Sequence, residues 1–258
     1  MKKFWGFLLV IVLMTSCGEY QSLLKSNDYN LVYKKAIEYY NKGDYQRAMN
    51  LLDGVRSVFV GQAKAQNIAY YRAFCSYNMK DYQIASDLFK QFIQTYPESS
   101  FAEECLYMMG FCDYKASPKP RLDQQVTEKA IREFQLYLSR YPYSMRKDKV
   151  NTYMDEMRDK LSYKAYLSAK NYYLREHYKA AVISLQNCLK DYPGSKYREE
   201  IMYMLFVSKY QMAVNSVEDK KVERYNNARE EYYYFADEYP NSRYAADVKK
   251  MYEDIEAY

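Results

Sequence analysis

Apolar and aromatic residues recur at intervals of three and four along most of the chain, with polar and charged residues between them. Tyr33, Ile37 and Tyr40 have this spacing, and it returns 37 residues later and once more after another 37. Residues at such intervals lie along one face of an α-helix, whereas a strand would alternate with a period of two. The pattern therefore predicts a succession of amphipathic helices and an all-α protein.

Three predicted helices carry the same columns of residues in register. The aromatic and apolar columns are Tyr33, Tyr70 and Tyr107; Ile37, Phe74 and Phe111; and Tyr40, Tyr77 and Tyr114. A column of small residues runs beside them and consists of Ala36, Ala73 and Gly110. Such agreement over three units is the signature of an internal repeat.

The helices that follow share a second pattern, which ends in a Tyr-Pro pair and a serine. The pairs are Tyr96-Pro97, Tyr141-Pro142, Tyr192-Pro193 and Tyr239-Pro240, and the serines are Ser99, Ser144, Ser195 and Ser242. An alanine stands twelve residues before each proline, at Ala85, Ala130, Ala181 and Ala228. Alanine allows two helices to approach closely, and proline ends a helix because it lacks an N–H. The serine can cap the next helix by accepting an amide hydrogen bond.

This spacing resembles the tetratricopeptide (TPR) repeat. The resemblance implies an α-solenoid of five helical hairpins, over 28–60, 64–97, 99–142, 144–193 and 195–240. A capping helix over 242–257 would cover the open end of the stack. We group the hairpins into N-terminal repeats, 28–142, and C-terminal repeats, 144–258. Residues 144–176 contain neither Pro nor Gly and predict one extended helix.

The three columns are the candidate binding residues. By resemblance to TPR geometry, the first helix of each hairpin faces the concave groove of the stack, and the columns would line that groove. Tyrosine suits a groove because its ring offers apolar area while its hydroxyl tolerates water. The alternative is ordinary packing between adjacent units, above all for Ile37, Phe74 and Phe111. We expect the ligand to be an extended segment with aromatic side chains.

The N-terminus is a targeting signal. Lys2 and Lys3 precede an apolar run over 4–14, which is too short for the roughly 20 residues of a spanning helix. Residues 13–17 resemble a bacterial lipobox, which implies a signal peptide over 1–16 and a diacylglycerol on Cys17. A lipidated linker would then occupy 17–27. Gly18 follows instead of aspartate, which by the same resemblance indicates the outer membrane, and a secreted protein with a chance cysteine is the alternative.

Composition supports long helices and gives no case for nucleic acid as a partner. The 258 residues include only 7 Gly and 6 Pro, so few tight turns are available. The net charge is +5, without a basic run. The cysteines after the signal are Cys75, Cys105, Cys112 and Cys188. We interpret them as buried small hydrophobic residues, although an exported protein could pair them.

The sequence contains no recognisable catalytic or metal-binding pattern. Its single histidine, His177, occupies the turn position that Asp44 and Asp81 hold in two other units. A Ser-His-Asp or Cys-His device would need it, and no motif joins it to a nucleophile. Zinc sites need several Cys or His ligands at characteristic spacings. We predict a protein that is not an enzyme and that has no metal or cofactor besides the lipid on Cys17.

The lipobox, the five hairpins and the Pro-x-Ser pattern together resemble the BamD family, the helical lipoproteins of the outer-membrane β-barrel assembly machine. The segment 39–48, Tyr-Tyr-Asn-Lys-Gly-Asp-Tyr-Gln-Arg-Ala, adds to the resemblance. It implies a lipid-anchored scaffold that faces the periplasm. Its partners would be the insertase's periplasmic domains, other assembly subunits and unfolded outer-membrane proteins. In the family, the N-terminal repeats are associated with substrate and the C-terminal repeats with the insertase.

Two alternatives remain open at this point. One is a cell-envelope TPR lipoprotein that coordinates peptidoglycan or division machinery. The other is a glycan-binding outer-membrane lipoprotein, for which the 34 tyrosines could supply stacking platforms. Such glycan-binding proteins usually carry a large loop-rich insert, which this chain lacks.

Overall fold

The computed structural model describes residues 18–258, and the signal peptide 1–16 and Cys17 lie outside this range. The described residues form helices joined by turns, with no strand among them. After a helical segment over 18–24, the helices are α1 Tyr29–Asn41, α2 Tyr45–Val55, α3 Lys64–Asn78, α4 Tyr82–Thr95, α5 Ala102–Ala116, α6 Gln125–Arg140, α7 Lys147–Leu174, α8 Tyr178–Asp191, α9 Arg198–Val214, α10 Glu218–Glu238 and α11 Ala245–Glu256.

The described chain divides into two compact units. The first contains residues 18–118 and 124–154, and in it each helix from α1 to α5 packs against the next one in sequence. The second contains residues 119–123 and 155–258, in which α9 packs against α8, α10 and α11. The all-helical, TPR-like fold is thereby confirmed. The predicted long helix is confirmed as well, because α7 runs without interruption for 28 residues.

Three hairpins turn with the same backbone motif. Gly43, Lys80 and Glu176 each have a positive φ, of 80°, 68° and 58° respectively. The N–H of the following residue donates to the carbonyl five positions earlier, as in Asp44 to Tyr39 at 2.9 Å. This is the Schellman ending, in which a left-handed residue satisfies the last carbonyls of a helix. Glycine adopts that conformation freely, whereas lysine and glutamate do so at a steric cost.

The four Tyr-Pro pairs end α4, α6, α8 and α10 in the same way. Each tyrosine is the C-cap, with φ between −127° and −132°. The reason is that proline excludes helical backbone from the residue before it. Each serine then accepts, through Oγ, the amide N–H two residues later, as in Arg146 N to Ser144 Oγ at 3.2 Å. We call these four segments the joints.

The joint serines also make hydrogen bonds to the first helix of the preceding hairpin. Ser99 donates to Gln66 at 2.9 Å, Ser144 to Glu103 at 2.7 Å and Ser242 to Glu199 at 2.6 Å. Ser195 accepts from Ser162 at 2.7 Å. Capping of the next helix, which the sequence predicted, is therefore only one of two roles of these serines. Each serine also links its joint to the hairpin before it.

The small residues of the repeat lie where helices meet. The five alanines of the second helices are completely buried, and they are Ala48, Ala85, Ala130, Ala181 and Ala228. In the first helices, Ala36 and Ala73 are also completely buried. Gly110 replaces alanine in that column because Phe134 of α6 lies against its Cα. The four alanines for which the sequence predicted close approach of helices are thus buried, as that prediction requires.

All four described cysteines are buried free thiols, as the sequence favoured. Burial raises the pKa of the Cys75 and Cys105 thiols to about 12. These thiols therefore stay protonated and act as small apolar side chains. Within residues 18–258, no helix has both the length and the apolar character that crossing a membrane requires.

Candidate partner-binding surface

The first column of tyrosines packs against aromatic rings in the second part of its own hairpin, with Phe59 lying just after α2 and the other two rings within α4 and α6. Tyr33 lies 6.1 Å from Phe59, Tyr70 lies 6.5 Å from Phe92, and Tyr107 lies 5.9 Å from Tyr137, measured between ring centroids. Cationic groups lie over two of the rings, Lys64 over Tyr33 and Arg146 over Tyr107. Tyr33 and Tyr70 are half-buried, whereas Tyr107 is almost fully enclosed.

The middle column contributes to the core of the N-terminal hairpins. Ile37 packs against the buried cluster formed by α1, α2 and α3. Phe74 meets the fully buried Phe89 edge to face, with 5.0 Å between the ring centroids. Phe111 stacks on Tyr107 at 5.7 Å. The contacts of Phe74 and Phe111 are packing within a hairpin and within a helix, and partner binding by this column stays a prediction.

The third column follows the hairpin turns. Tyr40 contacts Tyr45 at 5.5 Å and Tyr77 contacts Tyr82 at 5.9 Å, so each ring meets the first residue of the next helix. Tyr114 instead stacks on Tyr153 of α7, with 4.4 Å between centroids. All three tyrosines are half-buried and keep part of each ring in contact with solvent. The column thus offers aromatic edges along one side of the first unit.

Sequence reasoning missed two rings that complete this surface. Tyr153 contacts both Phe111 and Tyr114, and Tyr71 contacts Tyr40 at 4.9 Å. The 37-residue register could not reach Tyr153, because residues 117–123 lengthen the third hairpin.

The phenols of the columns are neutral hydrogen-bonding groups. Burial raises the pKa of Tyr40 to about 12. Burial and the neighbouring Glu104 carboxylate also raise the pKa of Tyr70, whose hydroxyl donates to Glu104 Oε2 at 2.8 Å. The surface can therefore offer apolar ring edges and uncharged polar groups to an extended chain. Whether the nine column residues bind a partner stays a prediction.

A second cluster of interest is polar and lies inside the first unit. Asp113, only 1% exposed, accepts from Ser86 at 2.9 Å and pairs with Lys129 at 2.9 Å. Glu133 lies beside them, also buried, and its Oε2 has no hydrogen-bond partner among the described residues. Burial, and then the contact with Asp113, raise the pKa of Glu133 to about 8. Glu133 also borders a pocket of about 360 Å³ between α4, α5 and α6.

The second unit has its own aromatic surface on α7 and α9. Tyr197, which precedes α9, stacks on Tyr166 at 4.4 Å and on Tyr163 at 5.2 Å. Lys170 lies over the Tyr166 ring and pairs with Glu200 at 2.7 Å. The three tyrosines and Lys170 line a shallow cavity of about 790 Å³. The sequence patterns did not single them out, because no repeat column passes through them.

His177 lies in a turn, as its repeat position predicted. It is exposed, and its backbone N–H donates to Tyr172 O at 3.0 Å, like Asp44 and Asp81 in the equivalent turns. Over residues 18–258, no group of three or more His, Cys, Asp or Glu side chains is arranged to hold a metal ion. The histidine thus serves the hairpin turn.

Helical hairpins of TPR type with partly exposed aromatic columns define a helical-repeat protein of the kind used for protein–protein interaction. The model of the YfiO family, described as outer membrane lipoprotein, matches residues 25–200 and 164–257. The chain therefore belongs to the YfiO outer membrane lipoprotein family. The domain that defines this family is that of the BamD family, which the sequence resembles.

Solved structures with similar chains are distant. A TPR-repeat protein from Bacteroides fragilis is 13% identical, with 90% of this chain and 99% of that chain covered and a TM-score of 0.43. The TPR2AB domain of yeast Sti1, solved in a pHSP90 complex, is 14% identical, with 88% and 98% covered and a TM-score of 0.40. Neither similarity bears on function. No curated protein matches the chain.

Proposed function

We propose that this protein is a lipid-anchored scaffold of the β-barrel assembly complex, which binds the barrel-forming insertase and unfolded outer-membrane proteins on the periplasmic side. The observation that carries the proposal is the family match, which extends over nearly all of the described helical hairpins. The scaffold role fits a repeat fold whose surfaces offer stacked aromatic rings, and it requires no catalytic centre. The membrane attachment would be the covalent lipid on Cys17.

The direct test is recovery of the full-length, acylated protein from its own membranes in mild detergent. We expect the insertase and the other assembly subunits to co-purify in stoichiometric amounts. Recovery of peptidoglycan or division proteins instead would favour the envelope-scaffold alternative. Glycan binding by the purified protein, without assembly subunits, would favour the glycan-binding alternative.

The anchor is tested separately. Cys17→Ser removes the thiol that would carry the lipid, so we expect the variant protein to leave the outer-membrane fraction. Cys188→Ser, which changes a buried cysteine of α8, is the control and should leave the localisation unchanged. An acylated N-terminus on the Cys17→Ser protein would contradict the lipobox assignment.

Within this role, we assign substrate recognition to the aromatic columns of α1, α3 and α5. The strands of barrel proteins alternate apolar and polar residues and carry aromatic girdles, and the exposed edges of the third column could contact such aromatic side chains. The Tyr70 hydroxyl donates to Glu104, so its oxygen, like that of Tyr33, would serve as an acceptor for backbone N–H groups of the bound segment. The C-terminal repeats, 144–258, would then bind the insertase, as the family resemblance implies.

The test uses a labelled peptide with alternating aromatic residues and fluorescence anisotropy. We expect Tyr33→Ala plus Tyr70→Ala to weaken binding at least tenfold, while circular dichroism shows unchanged helicity. Tyr225→Ala plus Tyr239→Ala, which removes two half-buried tyrosines of α10 and its end, is the matched control. Equal affinity of the folded column variant and the wild type would remove these tyrosines from the site.

A further inference from the structure

The joint between α6 and α7, the second joint, differs from the other three at the two positions beside its serine. Tyr143 and Met145 occupy these positions, and both side chains are fully exposed, at 98% and 103%. The other joints carry Glu98 and Ser100, Gly194 and Lys196, and Asn241 and Arg243. Because three joints keep the same backbone without apolar residues there, the repeat fold does not require Tyr143 and Met145.

The residues that alternate with this pair are held against the hairpin before the joint. Ser144 donates to Glu103 at 2.7 Å and exchanges a hydrogen bond of 2.6 Å with Tyr137. Arg146 lies over the Tyr107 ring, 4.8 Å from its centroid, and pairs with Glu104 at 3.6 Å. The backbone between them is therefore fixed with both apolar side chains directed to solvent. A partner would not have to order this segment, which lowers the entropy cost of binding.

The chain segment that carries the pair is basic, although one of its cations, Arg146, pairs with Glu104. Residues 140–149 include one acidic side chain, Asp148, and four basic ones, which are Arg140, Arg146, Lys147 and Lys149. Tyr, Met and Arg are the residue types enriched in the cores of protein–protein interfaces, whereas acidic residues are depleted there. An exposed Tyr and Met inside a basic rim therefore complement an acidic surface that has an apolar recess.

We propose that Tyr143 and Met145 are anchors that dock a protein partner with an apolar socket surrounded by acidic side chains. The choice of partner rests on the proposed function, under which the socket belongs to a periplasmic domain of the insertase. Anionic lipid would match the basic rim, but two side chains on a short joint expose little of the apolar area that interfacial helices bury. The composition and the fixed backbone thus favour a protein.

The experiment compares two double variants of the full-length, acylated protein. Tyr143→Asn plus Met145→Arg copies the fourth joint, removes the apolar pair and adds one positive charge to the already basic segment. Glu98→Asn plus Ser100→Arg makes the same replacement in the first joint and is the matched control. All four positions are exposed, so both variants should unfold within a few degrees of the wild type.

We expect Tyr143→Asn plus Met145→Arg to lower the insertase recovered with the protein at least tenfold, in line with the loss of two anchor residues. The control should stay within about twofold, because neither Glu98 nor Ser100 has the character of an anchor. A photoreactive amino acid at position 143 should form a covalent adduct with an acidic segment of the insertase in living cells. The same photoreactive amino acid at position 98 should form no adduct with the insertase.

Undiminished recovery of the insertase by Tyr143→Asn plus Met145→Arg would overturn the inference, and so would an adduct with lipid alone. If the wild type recovers no insertase, the proposed function is wrong, but docking at this joint is not yet excluded. The photo-crosslinked adduct at position 143 then tests the docking inference separately. A single identified protein joined through an acidic segment, and lost in Met145→Arg, would support docking at this joint. The absence of any protein adduct at position 143 would contradict docking at this joint.

Discussion

Gly110 of α5 and Phe134 of α6 are in closer contact than any side chain at position 110 would allow. A Cβ on Gly110 would lie 2.9 Å from Phe134 Cδ1 and 3.0 Å from Cε1. The Phe134 ring is completely buried, so it has little freedom to move away. The two equivalent positions, 36 and 73, carry alanine, so the repeat needs a small residue here and this hairpin needs the smallest.

Gly110→Ala should therefore destabilise the protein, although alanine is the better helix former. We expect a loss of about 1–3 kcal/mol from overpacking, measured as the free energy of unfolding in urea. Gly54→Ala in α2 is the control, because no atom lies within 4 Å of its Cβ position. That change should stabilise the protein by about 0.5–1 kcal/mol, and a stabilised Gly110→Ala would contradict the assigned contact.

Lys80→Gly should stabilise the turn between α3 and α4. Lys80 has a φ of 68°, a conformation that costs a residue with a Cβ about 1 kcal/mol and that glycine adopts without strain. Part of the gain is lost to the greater entropy of glycine in the unfolded chain, so we expect a net increase of about 0.5 kcal/mol. Thermal unfolding followed by circular dichroism measures it.

The control for this turn is Lys42→Gly. Lys42 lies one position before the left-handed residue of its turn and has a φ of −82°. Glycine relieves no backbone strain at position 42, and its greater entropy in the unfolded chain should lower the unfolding midpoint. A common decrease in both variants would show that the left-handed backbone at position 80 carries no strain.

Ser144→Ala should cost about 1–2 kcal/mol of stability, because it leaves Glu103 and Tyr137 without a shared hydrogen-bond partner. Ser99→Ala and Ser242→Ala remove the equivalent bonds to Gln66 and Glu199 and should lower stability similarly. Ser100→Ala, at an exposed position of the first joint, should have no effect. Equal unfolding midpoints for Ser100→Ala and Ser144→Ala would contradict the linking role of the joint serines.

Glu133 should make the stability of the first unit depend on pH. Its folded pKa, about 8, lies above the ordinary value of 4.5, so the folded protein holds a proton that the unfolded chain releases. The protonated Glu133 contributes its full stabilisation of the folded state below pH 4.5, and this contribution is lost as the pH rises through 8. The free energy of unfolding should fall with increasing pH in this window, by at most about 1.4 kcal/mol per unit.

Glu133→Gln keeps a neutral side chain at all pH values and should remove this dependence. The variant should therefore exceed the wild type in stability at pH 8 and approach it at pH 5. Glu128→Gln, at an exposed position of the same helix, is the control and should preserve the slope. Parallel curves for the wild type and Glu133→Gln would show that the buried carboxyl does not titrate in this range.

The repeat and its helix ends could be predicted from sequence because they depend on neighbouring residues alone. Proline excludes helical backbone at Tyr96 or Tyr141 whatever the rest of the chain does, and an alanine at helical spacing marks a crossing. The family resemblance drew on these local signals together with the lipobox and the number of hairpins, and the match to the YfiO outer membrane lipoprotein family agrees with it. Cys17 remains a sequence-based assignment, since it lies outside the described residues.

Tertiary structure decided what each surface can do. The columns of α1, α3 and α5 look alike in sequence, yet only packing encloses Tyr107 and adds Tyr153 to the third hairpin. Likewise, Tyr143 is in sequence one more tyrosine among 34, and its exposure follows from the inward hydrogen bonds of Ser144. Periodicity determines which residues share a helix face, because it follows from the backbone. Which part of that face meets water depends on neighbouring helices brought together by distant parts of the chain.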